Sequence, residues 1–591
     1  MTRFEVWAPH ARTVTVVADD RTYGMNPSHG NDGWWRADVP AAGPGSDYGF
    51  RLDDDETVLP DPRSRWQPSG VHGPSRLYDD ASFAWTDSGW RGVQLPGSVF
   101  YELHVGTFTP AGTLDAAIGR LDHVVELGID VVELMPVGAF PGIAGWGYDG
   151  VHPYAVHEPY GGPDALKRFV DASHSRRLGV CLDVVYNHLG PSGNYLPRFG
   201  PYFTERHQTP WGAAVNLDDE GSPEVRRWVI DNAVTWLRDF HVDALRLDAV
   251  HALVDDSAEH ILTSLARKVD ALSVALRRPL SLIAESDLNK PRTVVPVEGG
   301  GNGMTAQWSD DFHHALHTLL TGEDQGYYAD FAEDPFAATA ATLRGAFFHD
   351  GRRSSFRGSD WGAPVDRSAV PGWRFLGYLQ THDQVGNRAV GDRIGHGLTH
   401  GLARVGAALV LTSPFTPMLF MGEEWGASTR WQYFTSHEEP GLAGAVRDGR
   451  RREFAAHGWA SEDVPDPQDA ATVRASTLDW SEVTTAPHAS LLSWYRSLLA
   501  LRRAEPDLSD PRLDRVEVTY DAAARWIVVT RGGLRVVCNL AGVAQAVPVD
   551  GPAVEVLLAS APPTITGGTV GMAAESVAIV RVGDQASSPS R

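Results

Sequence analysis

In the stretch HVDALRLDAVH, residues 241 to 251, Arg246 and Asp248 interrupt an otherwise apolar strand. Side chains two apart on a strand share a face, so a cation and an anion are aimed at one place. Comparable interruptions recur along the chain. Asp183, Asn187 and His188 close the run VCLDVVY, Glu285 follows SLIA, and His382 with Asp383 follows FLGYLQ. Carboxylates converging on one apolar mouth have a well-supported use in glycoside chemistry, where a retaining mechanism needs an ionised nucleophile and a protonated acid about 5 to 5.5 Å apart. Arg246 favours the charged form of Asp248, the candidate nucleophile. Desolvation behind SLIA raises the pKa of Glu285, the candidate acid. Asp383 can bind sugar hydroxyls and stabilise oxocarbenium charge, with His188 and His382 donating hydrogen bonds to the same ring. For Asp183 and Asn187 a role bracing the loop and a ligand contact stand equal, and Asp310 and Asp311 are ambiguous.

These residues need a scaffold that gathers strand ends. Strand-like runs at 99–105, 131–137, 180–186, 243–248, 282–285, 305–308, 375–380 and 417–421 alternate with amphipathic helical patterns. One helical face carries Leu114, Ile118, Leu121 and Val125, and another helix takes Ser222 as N-cap with Pro223 in its first turn. Eight strands alternating with helices predict an α/β fold, a (β/α)8 TIM barrel over residues 97–506, with the site at the carboxyl ends of its strands. Long insertions are expected at about 309–372 and 422–487. Residues 1–96 alternate in short runs (FEVWA, RTVTVV, DYGFRLD) broken by Gly, Pro and Asp, which predicts an N-terminal β-sandwich ending in a Pro- and Asp-rich loop. Residues 507–591 read as a C-terminal β-sandwich, with RWIVVT and LRVVCNL joined through Arg531, Gly532 and Gly533, and GDQASSPSR as a frayed tail.

Composition narrows the partners. The 51 basic and 75 acidic residues leave a net charge of -24, which repels phosphate backbones and anionic lipid and argues against nucleic-acid and membrane-surface binding. No run approaches a membrane span, and the start MTRFEVWAPH reads as a strand and lacks a signal-peptide pattern, so a cytoplasmic protein is expected. Cys181 and Cys538 are expected as free buried thiols. There is no clustered Cys and His for zinc and no phosphate-binding loop, so neither cofactor nor metal is expected. Aromatic residues crowd the loop GAFPGIAGWGYDGVHPYAVHEPYGGP, and Tyr148 is the candidate sugar platform.

At these residues the sequence resembles the α-amylase superfamily, glycoside hydrolase family 13. DVVYNH (183 to 188), LRLDAVH (245 to 251), IAES (283 to 286) and THDQVGN (381 to 387) match its four sequence regions in order and spacing. The resemblance implies Asp248 as nucleophile, Glu285 as general acid/base and Asp383 as transition-state stabiliser. It implies Arg246, His188 and His382 as contacts to the sugar being cleaved and His251 as a contact on the leaving-group side. The longer stretches YELHVGTFTPAGT, ELMPVGAFPGIAGWGYDGV, GPYFTERHQTPWGAAVNLD, QWSDDFHHALH and FMGEEWGAS resemble one branch of that superfamily. Its members hydrolyse the α-1,4 bond next to the terminal trehalose of maltooligosyltrehalose, working with a synthase that makes this substrate. In that frame Trp211 and Glu424 are candidates for walls of the trehalose-side pocket. The alternative is a glucan branching enzyme, which shares WGYDG and the carboxylate triad. A glucan-binding protein without turnover is a third reading, disfavoured because all three carboxylates are present.

Overall fold

The computed structural model describes residues 2–28, 30, 33–455, 460 and 463–583. Its centre is a closed barrel of eight parallel strands in sequential order: Phe100–Leu103, Val131–Leu134, Gly179–Val184, Ala244–Leu247, Ser281–Ala284, Ala306–Trp308, Phe375–Tyr378 and Thr416–Phe420. All eight lie within a residue of the runs read from the sequence, and most are trimmed at their ends. Each strand is buried along its whole length, because helices cover the outside and side chains fill the lumen.

The lumen is layered, and the layering creates the site. Phe100, Val131, Cys181, Ala244 and Ile283 belong to one apolar cluster inside the barrel. Two residues further along the same strands, on the same face, stand Glu102, Glu133, Asp183, Arg246 and Glu285. Parallel register sets these side by side, pairing Glu102 with Glu133, Cys181 with Glu133, and Asp183 with Arg246. An apolar plug thus supports a charged layer at the carboxyl end.

The flanking units are β-structured. At the amino end a three-stranded sheet (Thr2–Trp7, Trp34–Val39, Asn26–Pro27) accompanies a four-stranded one (Arg21–Gly24, Val14–Ala18, Asp47–Leu52, Ser75–Arg76). At the carboxyl end a five-stranded and a three-stranded antiparallel sheet bury Val528, Val537, Val547, Val570 and Val580 between them. The hairpin there turns on Gly532 and Gly533, Arg531 being the last residue of its strand. Of the expected tail, all beyond Gly583 lies outside the described residues. Cys181 and Cys538 are both buried and unbridged.

Two local readings change. The face through Leu114 and Val125 is split between Leu114–Ile118 and Leu121–Leu127, with Gly119 ending the first helix. Val124 is buried and Val125 is 39% exposed, since the break resets the helical phase. Ser222 is the first residue of the helix Ser222–Asp239, and Gly221 is its N-cap. That position has φ +81°, and a Cβ there would meet Pro201 Cγ at 2.6 Å, so only glycine fits.

After the sixth strand come the helix Asp310–Thr321, a second helix Pro335–Gly345 and the hairpin Arg352–Ser354 with Ser359–Trp361. After the eighth, the helices Pro440–Ala455 and Ala470–Ser476 precede His488–Ala504. No helix among the described residues is long and apolar enough to cross a membrane.

Candidate active site

A cleft of about 430 Å³ opens over the charged layer. It is bordered by Trp146, Tyr148, Asp149, His188, Trp211, Arg246, Asp248, Ala249, His251, Glu285, His382, Asp383, Tyr433 and Thr435. Nine of the ten sequence-derived site residues are among these, Glu424 being the exception.

Arg246 organises the centre. Its side chain is 1% exposed. Nη1 donates to Asp183 Oδ1 at 2.8 Å and Oδ2 at 2.7 Å, and to Asp248 Oδ1 at 2.9 Å. Nη2 lies 2.8 Å from Glu285 Oε2. Its Cζ sits 4.4 Å from the centre of the Trp308 ring, which closes the lower side. One guanidinium is therefore shared by three carboxylates, and it fixes Asp248 and Glu285 relative to each other.

Each carboxylate has a second anchor. Asp248 Oδ2 accepts from Asn187 Nδ2 at 2.7 Å, and Glu285 Oε2 accepts from the Ala249 backbone N–H at 2.7 Å. Burial pushes the Glu285 carboxyl up to about 8 against the pull of Arg246, with Asp248 and Asp383 adding like charge. Asp183 is pushed up to about 6 by burial, which Arg246 partly offsets. Asp383 stands in the first turn of the helix His382–Gly386, whose N-cap Thr381 and Gln384 form a capping box. Asn387 Nδ2 donates to Asp383 Oδ1 at 2.7 Å and so turns the carboxylate.

The walls are aromatic. Tyr148 stacks near His382, ring centres 5.2 Å apart. Trp211 lies between the strands Phe203–Thr209 and Gly212–Val215 and stacks on His188 at 4.5 Å and 5°. His251 lies at the rim, its Nδ1 3.7 Å from Asp287 Oδ1.

Glu424 is a correction. Its side chain is fully buried, accepting from Tyr101 Oη at 3.1 Å and from His123 Nε2 at 2.8 Å. Tyr101 neighbours the lumen-facing Glu102 and so points out of the barrel, which places Glu424 behind the wall and away from the cleft.

Three polar residues had no role assigned from sequence. Glu102 and Glu133 interrupt FYEL and VVEL as Arg246 interrupts ALRL, so the same rule could have found them. Asp310 accepts from Tyr378 Oη at 2.5 Å and from Gln384 Nε2 at 3.3 Å, beside Asp383. Among the described residues, His207, Asp218 and Asp256 are grouped closely enough to ligate a cation. Arg206 stands 3.8 Å from Asp218 and 3.6 Å from Asp256, already supplying the positive charge such a group attracts.

Comparison with known proteins agrees with this architecture. The family described as "Alpha amylase, catalytic domain" matches residues 76–205, "Carbohydrate-binding module 48 (Isoamylase N-terminal domain)" matches 1–64, and "Domain of unknown function (DUF3459)" matches 511–579. A Salmonella typhimurium crystal structure, provisionally named an alpha amylase, superposes with a TM-score of 0.90 at 38% identity, covering 98% of this chain and 97% of that one. Barrel, flanking modules and strand-end carboxylates together define a glycoside hydrolase of the α-amylase superfamily. Malto-oligosyltrehalose trehalohydrolase from Mycobacterium tuberculosis is 54% identical over 99% of this chain and 100% of its own length. The Saccharolobus solfataricus enzyme of that name is 42% identical, covering 85% of each chain. The chain belongs to the malto-oligosyltrehalose trehalohydrolase family. A 1,4-alpha-glucan branching enzyme from Corynebacterium jeikeium is 31% identical over 53% of this chain and 48% of its own.

Proposed function

We propose that the protein hydrolyses the α-1,4 bond next to the terminal trehalose of maltooligosyltrehalose, releasing trehalose and a shortened maltooligosaccharide by a retaining double displacement. The observation that carries the chemistry is the single guanidinium bonded to both Asp248 and Glu285. Such sharing holds the two carboxyl groups close, as a covalent intermediate requires.

Asp248, oriented by Arg246 and Asn187, attacks the anomeric carbon as a carboxylate. Glu285 is protonated at neutral pH and gives its proton to the departing glycosidic oxygen, so the trehalose unit leaves as a neutral alcohol. Its Oε2 is engaged by Arg246 and Ala249, which leaves Oε1 to carry the proton. Glu285 then takes a proton from water, whose oxygen attacks the same carbon and breaks the bond to Asp248. Asp383 faces the developing oxocarbenium charge. Tyr148, His188 and His382 border the sugar whose glycosidic bond is cleaved, and His251 and Trp211 serve as contacts to the rest of the substrate.

The substrate follows from the family, and a maltooligosyltrehalose synthase is the expected source of it. Two unbridged thiols fit a reducing cytoplasm. Incubation with maltooligosyltrehalose followed by chromatography should show free trehalose. Only reducing sugar, or newly branched glucan, would overturn the assignment.

A further inference from the structure

Glu102, on the first barrel strand, has both carboxylate oxygens committed to one residue. Oε2 accepts the His382 backbone N–H at 2.9 Å and Oε1 lies 2.5 Å from His382 Nδ1. Across the ring, His382 Nε2 lies 2.9 Å from the Tyr148 hydroxyl, which is itself 2.6 Å from Asp183 Oδ2. Asp183 is bonded to Arg246, and Arg246 to Asp248 and Glu285. One chain of bonds therefore runs from Glu102 to both carboxyl groups of the reaction.

We propose that Glu102 is a positioning residue of this site, holding His382 as an imidazolium that fixes the direction of every proton in the chain. The inference rests on the hydrolase reading for its kinetic consequence only.

Proton counting carries it. The Tyr148 hydroxyl has one hydrogen, and the shorter bond, to a carboxylate, takes it. His382 Nε2 must then donate to Tyr148, and Nδ1 must donate to Glu102, so both ring nitrogens carry hydrogen. Were His382 neutral, Nε2 would draw the Tyr148 hydrogen toward itself. Asp183 would then lean harder on Arg246 Nη1, which also holds Asp248.

The groups facing His382 support the assignment. On the first strand side stand Glu102 and His104, and burial together with the His382 charge pushes His104 down to about 3. Glu133, the register partner of Glu102 on the second strand, is driven well above the carboxylate range by burial, then by Glu102 and Asp183, and adds no second anion. Asp183 and Arg246 face it through the Tyr148 hydroxyl that they share with it, and Asp383 adjoins it on its own helix. Burial pulls the His382 ring down, but the charge and hydrogen bond of Glu102, with the Asp383 charge, together outweigh this and the ring is pushed up to about 9.

Neutron diffraction of the whole deuterium-exchanged protein at neutral pD tests the chain without reference to turnover. Deuterium on both His382 nitrogens and a Tyr148 deuterium directed at Asp183 are expected. A bare Nε2, or a Tyr148 deuterium directed at His382, overturns the proposal whether or not trehalose is released. In kinetics, Glu102→Gln should lower kcat by about tenfold or more with KM held within about twofold, and move the alkaline limb to lower pH. Glu102→Asp should restore part of the rate and of the limb. Equal losses in both variants with an unmoved pH profile would reduce Glu102 to space filling, and if neither variant folds the neutron map alone decides.

Discussion

Asn187 clamps Asp248 with a single amide nitrogen, its Nδ2 donating to the Asp248 backbone carbonyl and to Oδ2, both at 2.7 Å. Its Oδ1 is bonded to His188 Nδ1, so the same side chain sets the tilt of a ring lining the cleft. Asn187→Ala frees both neighbours at once. Misplacing a reacting group by about 1 Å can cost about a hundredfold, so kcat should fall by about tenfold to a hundredfold with a smaller change in KM. Unchanged kcat in steady-state trehalose release would show that Arg246 alone orients Asp248.

Asp248→Asn removes the attacking carboxylate and keeps the volume, and its one amide oxygen can accept from Arg246 or from Asn187 but not from both. Loss of a covalent nucleophile should lower kcat by at least roughly a thousandfold. Near-normal turnover would refute the role. A melting curve taken alongside separates this loss from unfolding.

The pH dependence follows from two raised groups that act in the same direction. Glu285 moves from 4.5 to about 8, so between those values the folded protein holds a proton that the unfolded chain has lost. His382 moves from 6.5 to about 9, and its stabilisation is present below 6.5 and is lost as pH rises through about 9. Stability should therefore decline with rising pH across this window, since the folded state binds more protons. Turnover should fall above about pH 8, where Glu285 no longer carries the proton it donates. Glu285→Gln should remove most of the rate and move the remaining alkaline limb up from about 8 toward about 9, where His382 gives up its proton. A kcat profile flat to pH 10 would contradict the assignment of the acid.

The reach of the sequence was uneven for a physical reason. A charged residue inside an apolar strand is visible in one dimension, which is why Arg246, Asp248 and Glu285 stand out. Glu102 and Glu133 are interruptions of the same kind. Their meaning depends on which strand closes against which, because Glu102 finds His382, 280 residues away, only when the first and seventh strand ends face one lumen. The outward face is harder still. Tyr101 and Glu424 are separated by 323 residues, and nothing in FMGEEWGAS says that its second glutamate turns away from the cleft. Breaks in helical phase, as at Gly119, depend on packing more than on periodicity.

Glu424→Ala tests that correction. The substitution leaves the Tyr101 hydroxyl and the His123 ring without their buried partner, which should cost about 1 to 3 kcal/mol of stability. Because the side chain lies behind the barrel wall, kcat and KM at a permissive temperature should stay within about twofold. A large rise in KM without a stability loss would return Glu424 to the substrate pocket.

Trp211 is the opposite case. The residue is 49% exposed, and its ring stacks on His188 at 4.5 Å. Truncation exposes little core, so Trp211→Ala should change stability by no more than about 0.5 kcal/mol. What it removes is one wall of the cleft and the brace on His188. An aromatic contact of this kind is worth about 0.5 to 1.5 kcal/mol, so KM should rise by about twofold to tenfold. A collapse of kcat at constant KM would instead mean that Trp211 acts through His188 on the sugar whose glycosidic bond is cleaved. Trp211→Phe separates the two outcomes, since a smaller flat ring keeps the brace while giving up part of the wall.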